Sequence, residues 1–226
     1  MKSTLLKVEN LSKTYAPGEV VWQNVNFDLM SGDFLYILGG SGAGKSSLLR
    51  AIASFERPTD GKVSTYGIDL QNSSRSDLER VRKKIAFIPQ NLGLIPDLTI
   101  RDHIEMSQIS LSQAERTDDS VMTNYLGLLN LKNKFHQRIS RLSGGERQRV
   151  AILRALSKKA DLLIADEPTG AQDFEMTWKL MDLFVKLNLQ GTAVLIATHD
   201  LEMVRRLRKR CAILKDGGFK VEDRPV

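Results

Sequence analysis

Residues 39–47 read Gly-Gly-Ser-Gly-Ala-Gly-Lys-Ser-Ser. Within them Gly39-x-x-x-x-Gly44-Lys45-Ser46 has the spacing of a phosphate-binding loop. Glycines at 39, 40, 42 and 44, with Ser41 and Ala43 between them, let backbone N–H groups converge on phosphate oxygens without side-chain obstruction. The following segment, KSSLLRAIASFE, is predicted to be a helix, and its start at Lys45, Ser46 and Ser47 adds the positive end of a helix dipole. Lys45 can reach the β- and γ-phosphates of a nucleotide, and the Ser46 hydroxyl can ligate Mg²⁺. The pattern also arises by chance as a glycine turn. Here an apolar strand, DFLYILGG, precedes it and a helix follows, which is the context a working phosphate loop requires.

Two acids and a histidine add to this chemistry. LLIADEP brings an apolar strand to its end at Asp166 and Glu167. Adjacent strand residues point to opposite sides, so the two carboxylates can take different roles. Asp166 is expected to hold Mg²⁺, directly or through water, and Glu167 to polarise an attacking water as general base. A further strand, VLIATHD, ends at His199, and KIAFIPQ ends at Gln90. Open α/β sheets bind ligands beyond the carboxyl ends of their strands, so Gly39, Asp166 and His199 are expected around one site. His199 is expected near the γ-phosphate as a hydrogen-bonding group, and Gln90 is a candidate for a similar place. A second glycine-bearing stretch, RLSGGERQR at Arg141–Arg149, opens a predicted helix with Ser143 as its cap.

The elements around these residues alternate between strands and helices. TLLKVENL, VVWQNVNFDL and KVSTYG are predicted strands of an outer sheet, and DFLYILGG, DLLIADE and TAVLIATHD strands of the core. The last two are apolar without alternation, as expected of strands covered on both faces. In the helix after the phosphate loop, Leu48, Leu49, Ile52 and Phe55 fall at helical spacing, and RPTDGK is expected to end it. Residues from about 91 to 156 are mostly helical, with Val121, Tyr125, Leu128 and Leu129 as one apolar stripe. FEMTWKLMDLFVKLN is a helix with Phe174, Trp178, Met181 and Val185 on one face. The sum is a largely parallel α/β sheet with a helical insertion.

Composition narrows the function classes. Of 226 residues, 33 are Lys or Arg and 27 Asp or Glu, a net charge of +6. That excess could suit an anionic ligand or an anionic membrane surface, but at this size a solvated surface is the favoured reading. No nucleic-acid partner is expected. The densest basic run, RRLRKR at Arg205–Arg210, is expected to end a helix, where cations complement the dipole. No apolar run is long enough to cross a bilayer, and the first residues lack the apolar stretch of a secretory signal. With Cys211 the only cysteine, no internal disulfide is possible and a cytosolic setting is expected. The NSS sequon at Asn72 is then inert.

The order of these motifs resembles that of the nucleotide-binding domain of ABC ATPases, over essentially the whole chain. LSGGERQ (Leu142–Gln148) matches the family signature, which is far more specific than the phosphate loop alone. The resemblance implies a P-loop NTPase α/β fold: a mostly parallel core sheet, an N-terminal antiparallel β-subdomain and an inserted helical subdomain. Residues 1–90 and 157–226 would form the core with its β-subdomain, and residues 91–156 the helical subdomain. It implies that ATP and Mg²⁺ are bound, and that two copies form a homodimer, head to tail, on binding ATP. The signature of each, Ser143, Gly144, Gly145 and Glu146, would then cap the nucleotide on the other's phosphate loop, which explains two phosphate-holding loops in one chain. It assigns Tyr15 to stacking on adenine and Gln90 to Mg²⁺ and the attacking water. Hydrolysis would rest on Glu167, His199, Gln90 and Lys45, with Ser46, Gln90 and Asp166 around the metal.

The family's segment after the two acids is TGAQD, Thr169–Asp173, where many relatives carry Leu in place of Gln172. Leu92, Leu94, Ile95 and Leu98 either pack within the helical subdomain or form part of a socket for a membrane partner's short helix. Within the family the likeness is to the branch serving bacterial cell division, whose ATPases work with a separate integral membrane protein. Lipoprotein-releasing and macrolide-type exporters share most of these motifs. Soluble family members without a membrane partner form a further class, disfavoured by the single cassette and short insertion. A place on the inner face of the plasma membrane, reached through the partner, follows from the same resemblance.

Overall fold

The structure is a computed structural model and describes residues 4–15 and 18–222. Two sheets organise the chain. β1 (Thr4–Tyr15), β2 (Glu19–Met30), β4 (Asp60–Thr65) and β5 (Ile68–Asp69) form an antiparallel sheet in the order β2-β1-β4-β5. The second sheet has the order β10-β9-β3-β8-β7-β6. It comprises β3 (Phe34–Leu38), β6 (Ile85–Ile88), β7 (Leu162–Asp166), β8 (Ala193–Thr198), β9 (Arg210–Lys215) and β10 (Gly218–Glu222). All its neighbouring pairs are parallel except the β9–β10 hairpin. The antiparallel β-subdomain and the mostly parallel core sheet are both those that the resemblance implied.

Strand alternation divides the interior into two apolar clusters. Leu35 and Ile37 of β3, Leu162 and Ile164 of β7, and Leu195 and Ala197 of β8 face one way. They meet Leu48, Leu49 and Ile52 of α1 (Lys45–Ile52) together with Leu6, Trp22 and Val25 of the antiparallel sheet. The helix that follows the phosphate loop is thus sandwiched between the two sheets. Phe34, Tyr36, Leu163, Val194 and Ile196 face the other way. They pack with α5 (Gly144–Ala155), α6 (Phe174–Leu189) and, beyond them, α3 (Ile100–Gln108) and α4 (Asp119–Leu128). Every residue of β7 and β8 is buried, as their unbroken apolar sequences require.

Several expectations need correcting. α1 stops at Ile52 rather than running on to Phe55. Ser54 takes φ +62°, and Phe55 is 55% exposed, resting on Phe87 and under the Arg82 guanidinium. RPTDGK does not end the helix, because Asp60 and Gly61 already belong to β4. The buried face of α6 is formed by Met176, Leu180, Met181, Leu183 and Phe184, while Phe174 is exposed. In α4 the buried residues are Met122 and Leu126, with Leu129 buried just past its end. Val121, Tyr125 and Leu128 lie at the margin. In both helices the apolar residues outnumber one stripe, and the sheet and its neighbours select the face.

Candidate functional site

The phosphate loop leaves β3 at Leu38 and enters α1 at Lys45. Gly44, the residue before the helix, has φ +90°, and a Cβ there would lie 2.4 Å from Val21 Cγ1 and 2.9 Å from Trp22 Cδ1. Only glycine fits both the conformation and the space. A Cβ on Gly39 would meet Leu214 O at 2.6 Å, so the loop is moulded against β9 as well. Lys45 curls back over the loop, its Nζ donating to Gly39 O (2.7 Å) and Gly40 O (3.0 Å) and standing 3.6 Å from Glu167 Oε1.

Strand register brings the other residues to the same edge. Leu38 pairs with Thr198, Asp166 with Ala197, and Ile88 with Ala165, so four parallel strands end at about one level. Tyr15, Gly40–Ser47, Gln90, Asp166, Glu167 and His199 line one cleft of about 870 Å³, with Gly144 and Gln148 at its far edge. Asp166 and Glu167 both reach this cleft, contrary to the expectation that they diverge. Glu167 has φ +49°, so the chain turns out of the strand at that residue. Its N–H donates to Ala197 O at 2.9 Å, and Oε1 lies 2.8 Å from His199 Nδ1. Thr198 Oγ1 donates to its Oε2 at 3.3 Å. A carboxylate so restrained by its neighbours is suited to orient a water.

Asp166 is 4% exposed, and its Oδ1 has no hydrogen-bond partner. Burial pushes its carboxyl up and Glu167 adds to this, while Ser46, Lys45 and Arg50 act in the opposite direction. Ser46 Oγ donates to Gln90 Oε1 at 3.3 Å. Ser46, Gln90 and Asp166 therefore offer oxygen donors only, and the orphaned carboxylate oxygen lacks a positive partner. That set fits a hard divalent cation such as Mg²⁺. Among the described residues no cluster of three His, Cys, Asp or Glu side chains competes for a metal.

Tyr15 is the last residue of β1 and is 41% exposed on the cleft wall. Its hydroxyl donates to Glu56 Oε1 at 2.6 Å and lies 3.3 Å from Ser47 Oγ. Sequence reasoning missed Glu56. It is the hub of a cluster in which Ser47, Arg50 and Lys13 also reach its carboxylate. No motif pointed to it, because its partners come from two separate segments, β1 and α1.

Ser143, Gly145 and Glu146 are not part of the cleft lining. Ser143 caps α5, its Oγ accepting from Glu146 N (3.2 Å) while Glu146 Oε2 accepts from Ser143 N (2.8 Å). Gln148, quoted within the signature but given no role, joins this helix to the catalytic edge. Its Nε2 donates to Glu167 O at 2.8 Å and its Oε1 accepts from Ala171 N at 3.0 Å. Leu92 and Leu98 are partly buried and Ile95 is 45% exposed. Arg154 fastens that loop through Leu92 O and Gly93 O.

Comparison with known proteins gives a consistent result. The family model described as "ABC transporter" matches residues 22–170. The chain is 33% identical to the cell division ATP-binding protein FtsE of Streptococcus pneumoniae over 214 residues, covering 95% of this chain and 93% of that protein. It is 36% identical to MJ0796, an uncharacterized ABC transporter ATP-binding protein of Methanocaldococcus jannaschii, covering 97% of each. Among solved structures, the dimer of MJ0796 in a post-hydrolysis state bound to ADP and Pi matches with TM-score 0.87 and 34% identity. That match covers 97% of this chain and 98% of that one.

Proposed function

We propose the following role for this chain, which belongs to the ABC transporter family as an ATP-hydrolysing cassette. Two copies close head to tail around two ATP molecules and drive a separate integral membrane protein. The task is that of FtsE beside an FtsX-like partner in bacterial cell division, regulating cell-wall hydrolysis. The full-length likeness to FtsE supports this reading. The equally extensive likeness to MJ0796, an ABC transporter ATP-binding protein, supports a second reading in which the partner is a transporter. The lipoprotein-releasing and macrolide-type exporters enter it through their shared motifs alone.

The observation that carries the chemistry is Glu167 held by His199 beside Lys45 at the mouth of the phosphate loop. In our reading Gly39–Ser47 cradle the phosphates, and Lys45 leaves the two loop carbonyls it now contacts to meet the β- and γ-phosphates. Tyr15 stacks on adenine. Ser46, Gln90 and Asp166 would hold Mg²⁺, which would supply positive charge to the phosphates. Glu167 takes the proton of the attacking water, oriented with help from Gln90, and His199 fixes Glu167 and meets the γ-phosphate. The other copy's Ser143–Glu146 segment adds N–H groups and a helix dipole to the γ-phosphate, so turnover needs the closed dimer. Residues 91–156 act as the helical subdomain carrying that signature. No helix among the described residues is long and apolar enough to cross a membrane. The partner supplies the span and holds the chain on the inner membrane face.

The test uses Glu167→Gln. ATP binding is retained, hydrolysis falls about 100-fold or more, and a closed dimer accumulates in light scattering. Normal hydrolysis by this variant would remove Glu167 from the role. Tagged Glu167→Gln with ATP, pulled down from solubilised native membranes, identifies the partner. A four-span protein with division factors supports the cell-division role, and efflux or lipoprotein-handling components support the exporter.

A further inference from the structure

Gln172 sits between the catalytic edge and the start of α5. Its Nε2 donates to Gly145 O at 2.9 Å and to Gln148 Oε1 at 3.1 Å, and its Oε1 accepts from Arg149 Nη1 at 2.8 Å. The amide orientation follows from the partners: arginine only donates and a carbonyl only accepts. Gln148 continues the chain of contacts to Glu167 O and Ala171 N. The packing is as tight as the bonding, since a Cβ on Gly145 would stand 2.8 Å from Ala171 O and 3.4 Å from Gln172 Nε2. The first turn of α5 is therefore pressed against, and hydrogen-bonded to, the segment that follows the general base.

We propose that Gln172 is a positioning residue that makes the signature helix and Glu167 of one chain move as a unit. The inference rests on the head-to-tail dimer proposed above. There the first turn of α5 serves the nucleotide bound by the other copy, while Glu167 serves the chain's own. The Gly145–Gln172–Gln148–Glu167 linkage then joins the two ATP sites through each subunit. Closure of the signature on one nucleotide sets the carboxylate at the other, and the sites fire cooperatively. A leucine at position 172 would fill similar space but leave Gly145 O and the Arg149 guanidinium without their partner.

The experiment compares wild type, Gln172→Leu and Gln172→Glu in the full chain. Glutamate keeps an acceptor for Arg149 but loses both donors. Four readouts are taken: Tm, the affinity of the undimerised chain for a fluorescent ATP analogue, kcat, and the Hill coefficient for ATP. For Gln172→Leu, affinity of the single chain stays within about twofold, kcat falls about three- to tenfold, and the Hill coefficient drops from about 2 toward 1. Gln172→Glu behaves likewise, because the two donated bonds carry the linkage. An unchanged Hill coefficient and kcat in Gln172→Leu overturn the proposal. So does a parallel loss of Tm and single-chain affinity, which would mark a merely structural role. Light scattering of Glu167→Gln with ATP separates the two levels. If it forms no dimer, the dimer reading falls and this inference with it; if the dimer forms, the Gln172 variants judge the inference alone.

Discussion

The N-termini of α1 and α5 both follow glycine-bearing loops, yet they are finished in different ways. α1 begins after Gly44, which supplies no side-chain cap, and its first turn, Lys45-Ser46-Ser47, contains no acid. α5 begins after Ser143 and closes a reciprocal capping box with Glu146, which Lys134 holds in turn by an ion pair. The donors and positive dipole end of α1 are thus left for a ligand, whereas α5 already carries a carboxylate at its own end. The first region is incomplete without phosphate. The second closes its own N-terminus with Ser143 and Glu146, and in the proposed dimer it meets a phosphate only as a second contact. This difference gives a physical basis for the primary binding at α1 and the secondary capping at α5 proposed above.

The sharpest break of that comparison is at Lys45. Lys45→Ala removes the one charged residue of the 39–47 segment and is expected to weaken ATP binding by a single chain about 100-fold or more. Isothermal titration on the dilute protein measures it. No change in the α5 first turn should weaken single-chain binding comparably. If one did, the two ends would share a nucleotide within one chain and the asymmetry would be wrong.

Gly144 and Gly145 probe the second region from its two sides. A Cβ on Gly144 meets no atom within 4 Å, whereas one on Gly145 strikes the Ala171 carbonyl. Gly145→Ala should therefore cost about 1–3 kcal/mol of stability along with turnover. Gly144→Ala should leave Tm equal or slightly raised, since alanine favours the helix, and leave single-chain ATP affinity unchanged. Its ATPase rate should still fall about tenfold, because the added methyl can obstruct only something outside the chain. Wild-type turnover by Gly144→Ala would mean that this surface does not meet a nucleotide.

The sequence made the first region more legible than the second. The loop glycines, Lys45, Asp166, Glu167 and His199 lie at strand ends, where apolar runs stop at chemistry-bearing residues. A rule about open sheets was enough to gather them. α5 was legible as a capped helix, but its attachment to Glu167 was not. That attachment runs through side-chain amides of Gln148 and Gln172, whose partners are backbone atoms 19 to 27 residues away. Helix faces were misjudged where apolar residues ringed the helix, as at Phe174 and Met176 of α6. α2 (Arg75–Lys83) passed unnoticed because only Val81 of its nine residues is buried. The β9–β10 hairpin passed unnoticed too, although β9 completes the wall behind Gly39.

Glu56 gives the subtlest test, because it supplies from outside α1 some of the support that α5 builds into its own cap. Burial alone would push its carboxyl up, but hydrogen bonds from Tyr15, Lys13 and Arg50 outweigh burial and bring it down to about 2. A carboxylate whose folded value is depressed stabilises the fold above its unfolded value, about 4.5, and that contribution fades as pH falls toward 2. Glu56→Gln should thus cost about 1–2 kcal/mol at pH 7, less than the full linkage value because solvent screens the cluster. The thermal stabilities of variant and wild type should converge across that acid window. The same change frees the Tyr15 ring and should raise the KM for ATP a few-fold. Glu146→Gln, which loosens only the α5 cap and the Lys134 pair, should lower stability without altering single-chain ATP affinity. If the two glutamates exchanged these signatures, the ion cluster under Tyr15 would be the incidental feature and the capping box the one tied to primary binding.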